Sequence, residues 1–113
     1  MEKKVDYLTE SDVDKAVEFL RDSADSSAKY RAERLYVEEY RKSLKAILMK
    51  QFGDLPISAQ EREAYSHKDY IAHLKAIKIA VEKDERQRFL RAGAEAKIQA
   101  WQTKSANLRS IKI

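Results

Sequence analysis

The scarcity of turn-forming residues limits the folds open to this chain more than any other feature of its sequence. Its 113 residues include two glycines and one proline, whereas the usual shares are about 7% and 5%. A β-sandwich or barrel needs a turn signal at short, regular intervals along the chain. Because so few residues here favour a reversal, we predict an all-α fold.

Capping and apolar spacing predict helical structure over 9–52. Thr9 and Asp12 have the spacing of a capping box, which favours a helix start. Residues 22–27 are weak helix formers, but no glycine or proline interrupts them, so we expect continuity or a slight kink there. A stripe at four-residue steps is expected to form the core of this segment. It comprises Ala32, Tyr36, Tyr40, Leu44 and Leu48.

The second half of the chain contains its only firm reversal. Gly53 suits the left-handed position after a helix end, and Pro56 follows shortly. Two further capping boxes then predict helix starts, namely Ser58 to Glu61 and Ser66 to Asp69. We therefore predict a single helical domain over 1–113. Its later elements are a turn over 53–58, a short helix over 59–65 and a long helix over 67–109.

The predicted long helix is too long for a compact chain of this size. Some 43 residues would extend about 64 Å, whereas the globule would be roughly 35 Å across. The helix either breaks near Gly93 or projects to a partner. Two apolar patches, separated by seven polar residues over 82–88, favour projection. We predict an elongated helical hairpin that self-associates, although sustained coiled-coil heptads are not evident. The predicted interface residues are Leu74, Ile77, Val81, Leu90, Ile98 and Trp101.

The net charge of +4 is unevenly distributed. Residues 1–27 have a net charge of −4 and residues 86–113 a net charge of +6. Head and tail can pair with each other, within one chain or between subunits, or the basic tail can bind a polyanion and release counterions. The candidate nucleic-acid-binding residues are Arg86, Arg88, Arg91, Lys97, Lys104 and Arg109.

A second basic surface lies on the 28–52 segment. Its candidates are Arg31, Arg34, Arg41 and Lys45, and tyrosines 30, 36 and 40 lie among them. Aromatic residues between basic ones can stack single-stranded bases. The alternative is that the tyrosines belong to the core. For Tyr36 and Tyr40 we favour the core, because they share the stripe that includes Leu44 and Leu48.

Several sites are not evident in the sequence. Cysteine is absent, and neither a nucleophile elbow nor a phosphate-binding glycine loop occurs. The two histidines, His67 and His73, are expected at the surface, and Asp84 is expected to pair with Arg88 four residues on. We therefore predict a non-enzymatic protein without a metal or cofactor. No apolar run approaches a membrane span and no secretory signal is evident, so we expect a soluble, cytoplasmic protein.

Three segments carry a resemblance to a known family. They are Ala28–Lys50, Gln60–Tyr70 and Ile98–Arg109, which include a basic helix ending in Leu-Met and a Glu-Arg-Glu-Ala-Tyr segment. They resemble small helical proteins encoded by temperate bacteriophages near recombination and replication genes. Gln102 departs from the family pattern, where an arginine is expected. If that arginine contacts nucleic acid in the family, the resemblance implies that this chain binds nucleic acid more weakly. The matching tail residues are Trp101, Thr103, Ala106, Asn107 and Arg109.

The resemblance implies a role rather than a reaction. It suggests an accessory protein for DNA recombination or replication in the cytoplasm of the bacterial host. Such a protein would bind single-stranded DNA or a phage recombination protein. The alternative is a purely structural or interaction oligomer that does not bind nucleic acid.

Overall fold

The computed structural model describes residues 8–112, with the side chains of residues 8–111, and these are almost entirely helical. No strand occurs within this range. The all-α prediction is therefore confirmed, as is the long C-terminal helix, which has 45 residues and continues through Gly93. In chain order the helices are α1 (Glu10–Asp22), α2 (Ala24–Lys50), α3 (Ile57–Ser66) and α4 (Lys68–Lys112).

The helices form two compact units. The first unit combines the chain up to Ser27 with the chain from Gln87 onwards, so it brings α1 together with the later part of α4. The second unit comprises Ala28–Arg86 and contains most of α2, all of α3 and the earlier part of α4. In each unit, therefore, helices distant in sequence pack against each other.

The start of α1 is specified by its local sequence. The Thr9 hydroxyl accepts a hydrogen bond of 3.2 Å from the Asp12 backbone N–H, and the Asp12 carboxylate accepts one of 2.9 Å from the Thr9 N–H. The predicted capping box is thus confirmed. The Thr9 N–H and the Thr9 hydroxyl both donate to the Asp12 carboxylate, each at 2.9 Å, and they lower the pKa of this carboxyl because they stabilise its charged form.

A single residue, Ser23, separates α1 from α2. Its backbone is close to helical, with φ −90° and ψ 0°, and its N–H donates to the Phe19 carbonyl at 2.9 Å. The weak helix formers in this stretch therefore interrupt the helix without reversing the chain.

The end of α2 differs from the prediction. Gly53 does not adopt positive φ. Instead, the chain leaves the helix through 3₁₀-type turns, in which the Gln51 N–H donates to the Leu48 carbonyl at 3.1 Å and the Phe52 N–H to the Met49 carbonyl at 3.0 Å. Such tighter bonds satisfy the last carbonyls of a helix, so a left-handed glycine is not needed.

The prediction of two later capping boxes was wrong. The helix α3 begins one residue before Ser58, after Pro56, and has no side-chain cap, because proline already supplies a helix-compatible φ and has no N–H to satisfy. Ser66 ends α3, and its hydroxyl donates to the Arg62 carbonyl at 2.9 Å. The start of α4 is capped instead by His67, whose Nδ1 accepts from the Asp69 N–H at 3.0 Å.

The core of the second unit lies where its three helices meet. Leu48 from α2 is 1% exposed and Ala64 from α3 is fully buried. Tyr70 from α4 completes this cluster, and Leu44 and Met49 pack against it. Since this is the only cluster of buried apolar side chains among residues 8–111, the remaining burial is spread along the helices.

That remaining burial recurs at helical spacing along the seams between the packed helices. Partly or fully buried side chains recur at alternating steps of three and four, the spacing of a coiled-coil seam. Many of these positions are polar, so a search for apolar heptads misses them. In the first unit the seam includes Ala16, Leu20, Ser23, Ser27, Gln87, Arg91, Ala94 and Ile98. In the second it includes Tyr30, Arg34, Val37, Leu48, Tyr70, His73, Ile77, Ala80 and Asp84.

Candidate nucleic-acid interface

Tyr36 and Tyr40 lie on the surface of α2, so the prediction that they are core residues was wrong. Tyr36 is 66% exposed and Tyr40 is 38% exposed. Each step of four residues rotates about 40° around a helix, because each residue advances about 100°. Three such steps separate Tyr36 from the buried Leu48, which places the two side chains about 120° apart.

The two tyrosines form a stacked pair. Their ring centroids are 6.1 Å apart and their planes differ by 14°. Tyr40 also contacts His73 of α4, with 5.5 Å between the ring centroids. The His73 Nε2 lies 2.6 Å from the Val37 carbonyl oxygen, and it must donate because a carbonyl only accepts. His73 is therefore partly buried and bonded, which corrects its predicted surface position, and it supports one ring of the pair.

A basic cleft lies on the other flank of α2. It has a volume of about 370 Å³ and is lined by Arg41, Lys42, Lys45, Tyr65 and Tyr70. Lys42 also lines a second depression, of about 360 Å³, together with the stacked tyrosines. The cleft and the tyrosine pair are thus adjacent surfaces of the second unit that share one lysine.

Lys45 is held in place within this cleft. Its Nζ lies 4.7 Å from the Tyr65 ring centroid and 3.8 Å from a Glu61 carboxylate oxygen. A hydrogen bond with the Tyr65 side chain and the negative charge of Glu61 raise the pKa of Lys45, so its ammonium is charged at neutral pH. Tyr65 was not among the residues predicted from the sequence, although it lies in the Glu-Arg-Glu-Ala-Tyr segment.

Arg34, another predicted candidate on α2, has a different role. It bonds to Glu38 at 3.0 Å, to Asp84 at 3.2 Å and to Glu85 at 3.0 Å. These three carboxylates raise the pKa of Arg34. Asp84 is buried and pairs with Arg34, a partner that its four-residue spacing to Arg88 did not predict. Arg34 therefore stabilises the second unit, and the exposed Arg31 retains its place as a candidate.

The six basic candidates of the C-terminal region do not form one surface. Arg91 donates to the Leu20 carbonyl at 2.9 Å and to the Ser23 hydroxyl at 2.7 Å, so its guanidinium is engaged inside the first unit. Lys97 and Lys104 are exposed and seven residues apart, which places them on one side of α4. Exposed side chains also occur at Arg86, Arg88 and Arg109.

The charge asymmetry of the sequence is neutralised within the first unit. Its residues 8–27 and 87–111 contain seven basic and seven acidic side chains, and Lys97 is close enough to Asp12 to lower the pKa of that carboxyl. The second unit, in contrast, contains thirteen basic and ten acidic side chains. The second unit therefore carries more basic than acidic side chains, whereas the two kinds balance in these residues of the first unit.

None of the six predicted interface residues is fully buried. Leu74 and Leu90 are 41% and 42% exposed, and the other four are partly buried. Other large apolar side chains are also exposed on both units, including Ile79 and Phe89. The predicted self-association through these residues stays a prediction.

Other kinds of site are not evident in the described part of the chain. Among residues 8–112, no three acidic or histidine side chains lie close enough together to hold a metal ion. None of the four helices is both long and apolar enough to cross a membrane. A comparison with family models, curated proteins and solved structures finds no match for this chain, so the resemblance to small phage proteins stays a prediction.

Proposed function

We propose that this chain is a non-enzymatic accessory protein that binds single-stranded DNA through the second unit. The observation that supports this most is the exposed, stacked pair of Tyr36 and Tyr40, which lies next to a cleft containing three cations. The family resemblance suggests the biological setting, phage recombination or replication in the bacterial cytoplasm.

The two tyrosine rings can bind unpaired bases. Two parallel aromatic faces that are open to solvent can stack successive unpaired bases, and each stacked base contributes about 1–3 kcal/mol. Bases inside a duplex are already stacked on each other, so the pair favours a single strand. Because any base has a stacking face, binding is expected to depend little on sequence.

The cations complete the surface. Arg41 and Lys42 are exposed on α2, and Lys42 lines the depression that also contains the tyrosine pair. Each phosphate that a lysine or arginine neutralises releases counterions, with a salt slope of about −0.7 per phosphate on a single strand. A strand that contacts both surfaces would therefore bind more weakly as the salt concentration rises.

The test is fluorescence anisotropy with a labelled single strand of about 30 nucleotides, which is longer than single-strand binding sites of about 4–16 nucleotides. Replacing both tyrosines, Tyr36→Ala and Tyr40→Ala, is expected to weaken binding at least about tenfold, which corresponds to about 1.4 kcal/mol. The double change to phenylalanine keeps the rings and is expected to bind like the wild type. Leu35→Ala, at an exposed apolar position of the same helix, is the matched control.

The charges are tested in the same assay. Lys42→Gln is expected to reduce the salt slope by about 0.7, the value of one lost phosphate contact. Binding that survives removal of both rings would contradict the proposal, as would equal affinity for duplex and single-stranded DNA.

The second candidate function is a purely structural or interaction oligomer that does not bind nucleic acid. The observation that favours it is the exposure of Leu74 and Leu90, two of the predicted interface residues. Light scattering after size exclusion, with and without the labelled strand, separates the candidates. An oligomer that dissociates when Leu90→Glu is introduced, and that does not bind the strand, would favour this alternative.

A further inference from the structure

We propose that the cleft around Lys45 is a phosphodiester subsite, and that the Glu61 carboxylate competes with the phosphate for the Lys45 ammonium. The inference rests on the proposed function, because the phosphate belongs to the strand whose bases stack on Tyr36 and Tyr40. It adds to that function the place where the phosphate backbone of the strand binds, and it identifies Glu61 as a residue that lowers the affinity for the strand.

The contact between Lys45 and Glu61 is too long for a strong ion pair. The Nζ and the carboxylate oxygen are 3.8 Å apart, whereas a charge-assisted hydrogen bond measures about 2.7–2.9 Å. The Glu61 side chain is 46% exposed and that of Lys45 is 29% exposed. Glu61 can therefore turn into solvent at low cost, while Lys45 stays in the cleft.

Lys45 has little freedom to follow Glu61. Its ammonium lies over the Tyr65 ring, and Tyr65 meets Tyr70 edge to face, with centroids 5.3 Å apart and an angle of 81°. Tyr70 belongs to the buried cluster of the second unit. The core thus positions Lys45 before a ligand arrives, which reduces the entropy lost on binding.

Two further cations line the same cleft. Within residues 8–112, Arg41 makes no hydrogen bond or ion pair, so its guanidinium can form a bidentate contact with a phosphate. Lys42 is 3.5 Å from Glu39, and both side chains are about three-quarters exposed. Such an exposed ion pair contributes little to stability, so Lys42 remains available to a phosphate. A phosphate in the cleft therefore meets three cations, and the carboxylate that pairs with Lys45 is Glu61.

The experiment compares two charge-neutralising changes on α3. Glu61→Gln removes the proposed competitor, and Glu63→Gln removes the same charge from the same helix. With the labelled strand at about 100 mM salt, Glu61→Gln is expected to tighten binding about two- to fivefold and Glu63→Gln to have a smaller effect. Circular dichroism checks that both variants are folded.

A double-mutant cycle tests whether Glu61 acts through Lys45. Lys45→Gln alone is expected to weaken binding about two- to fivefold. In the background of Lys45→Gln, the gain from Glu61→Gln is expected to disappear. Equal gains from Glu61→Gln and Glu63→Gln would overturn the subsite, because they would show only a change in net charge. The tyrosine variants would still report on the proposed function.

A second probe separates a strand phosphate from a free one. Inorganic tripolyphosphate is titrated into labelled protein while the NMR signals of Arg41 and Lys45 are followed. If tripolyphosphate binds in a Lys45-dependent way and the strand does not, the cleft takes free phosphate, and both the subsite and the proposed function are overturned. If the strand shifts the tyrosine signals but not those of Lys45, only the subsite is overturned.

Discussion

The guanidinium of Arg91 and the hydroxyl of Ser23 are joined by a hydrogen bond of 2.7 Å, although 68 residues separate them along the chain. The same Arg91 nitrogen donates to the Leu20 carbonyl, which lies in the last turn of α1. The final four carbonyls of a helix have no partner within it, and a cation is favoured at this end of the helix dipole. Arg91 therefore caps α1 from another part of the chain.

Replacement of Arg91 is expected to destabilise the protein. Arg91→Met would keep much of the side-chain volume but leave the buried Ser23 without this donor. An unsatisfied buried polar group costs about 1–3 kcal/mol. We expect the free energy of unfolding, measured by urea denaturation, to fall by this amount. Arg109→Met, at an exposed position of the same helix, is the control. Equal losses from the two variants would contradict the capping role.

Two adjacent residues of α2 are expected to respond very differently to truncation. Leu48 is 1% exposed and its neighbour Ile47 is 50% exposed. Leu48→Ala should reduce the free energy of unfolding by about 2–5 kcal/mol, because it removes packed atoms and leaves a cavity. Ile47→Ala should change it by less than about 0.5 kcal/mol. A larger loss from Ile47→Ala would show that this face is covered in an assembly.

Gly93 offers a stabilising substitution. It lies inside α4, and a Cβ at this position would have no neighbour within 4 Å. Gly93→Ala should therefore raise the free energy of unfolding by about 1 kcal/mol, the difference in helix propensity. Thermal unfolding measures the effect, and Gly53→Ala, outside the helices, is the comparison. A destabilised Gly93→Ala variant would indicate that another chain approaches the helix closely there.

The capping box of α1 is expected to make stability depend on pH in the acid range. Bonds from Thr9 lower the pKa of Asp12 below its ordinary value of 3.8. The folded state thus favours the carboxylate, so the stabilisation is complete above this value and is lost as the pH falls through the lower, folded-state pKa.

Asp12→Asn tests this dependence. The difference in unfolding free energy between wild type and Asp12→Asn should be constant near neutral pH and should shrink below about pH 4. Asp14→Asn removes the same charge two residues further along α1 and serves as the control. A difference in unfolding free energy that stays constant down to about pH 2 would show that the Asp12 carboxylate does not stabilise the helix start.

Local sequence predicted those elements that depend on neighbouring residues. The shortage of glycine and proline was enough to predict an all-α fold, and the Thr9 and Asp12 spacing was enough to locate the start of α1. In contrast, the spacing at Ser58 and Ser66 predicted caps that do not form. Pro56 and His67 occupy those helix starts instead, and a capping motif by itself does not show which of several nearby residues will cap.

The candidate interface was predicted only in part. Basic residues interleaved with tyrosines on the α2 segment predicted a second basic surface, but their spacing favoured a core position for Tyr36 and Tyr40. A strict four-residue stripe drifts around a helix, so it does not identify the face that is buried. Tyr65 was missed because it comes from α3, and its place beside Lys45 depends on how that helix packs.

The amino-acid sequence by itself determined that this protein is helical, where its first helix begins and that its last helix is long. These properties follow from interactions within about four residues. Only the tertiary structure decided that Asp84 pairs with Arg34, that Arg91 caps α1 and that the tyrosine pair faces solvent. Each of these depends on which helix lies opposite. A polar group that is buried against a distant segment must find its hydrogen-bond partner there, so its role cannot be read from its neighbours in the sequence.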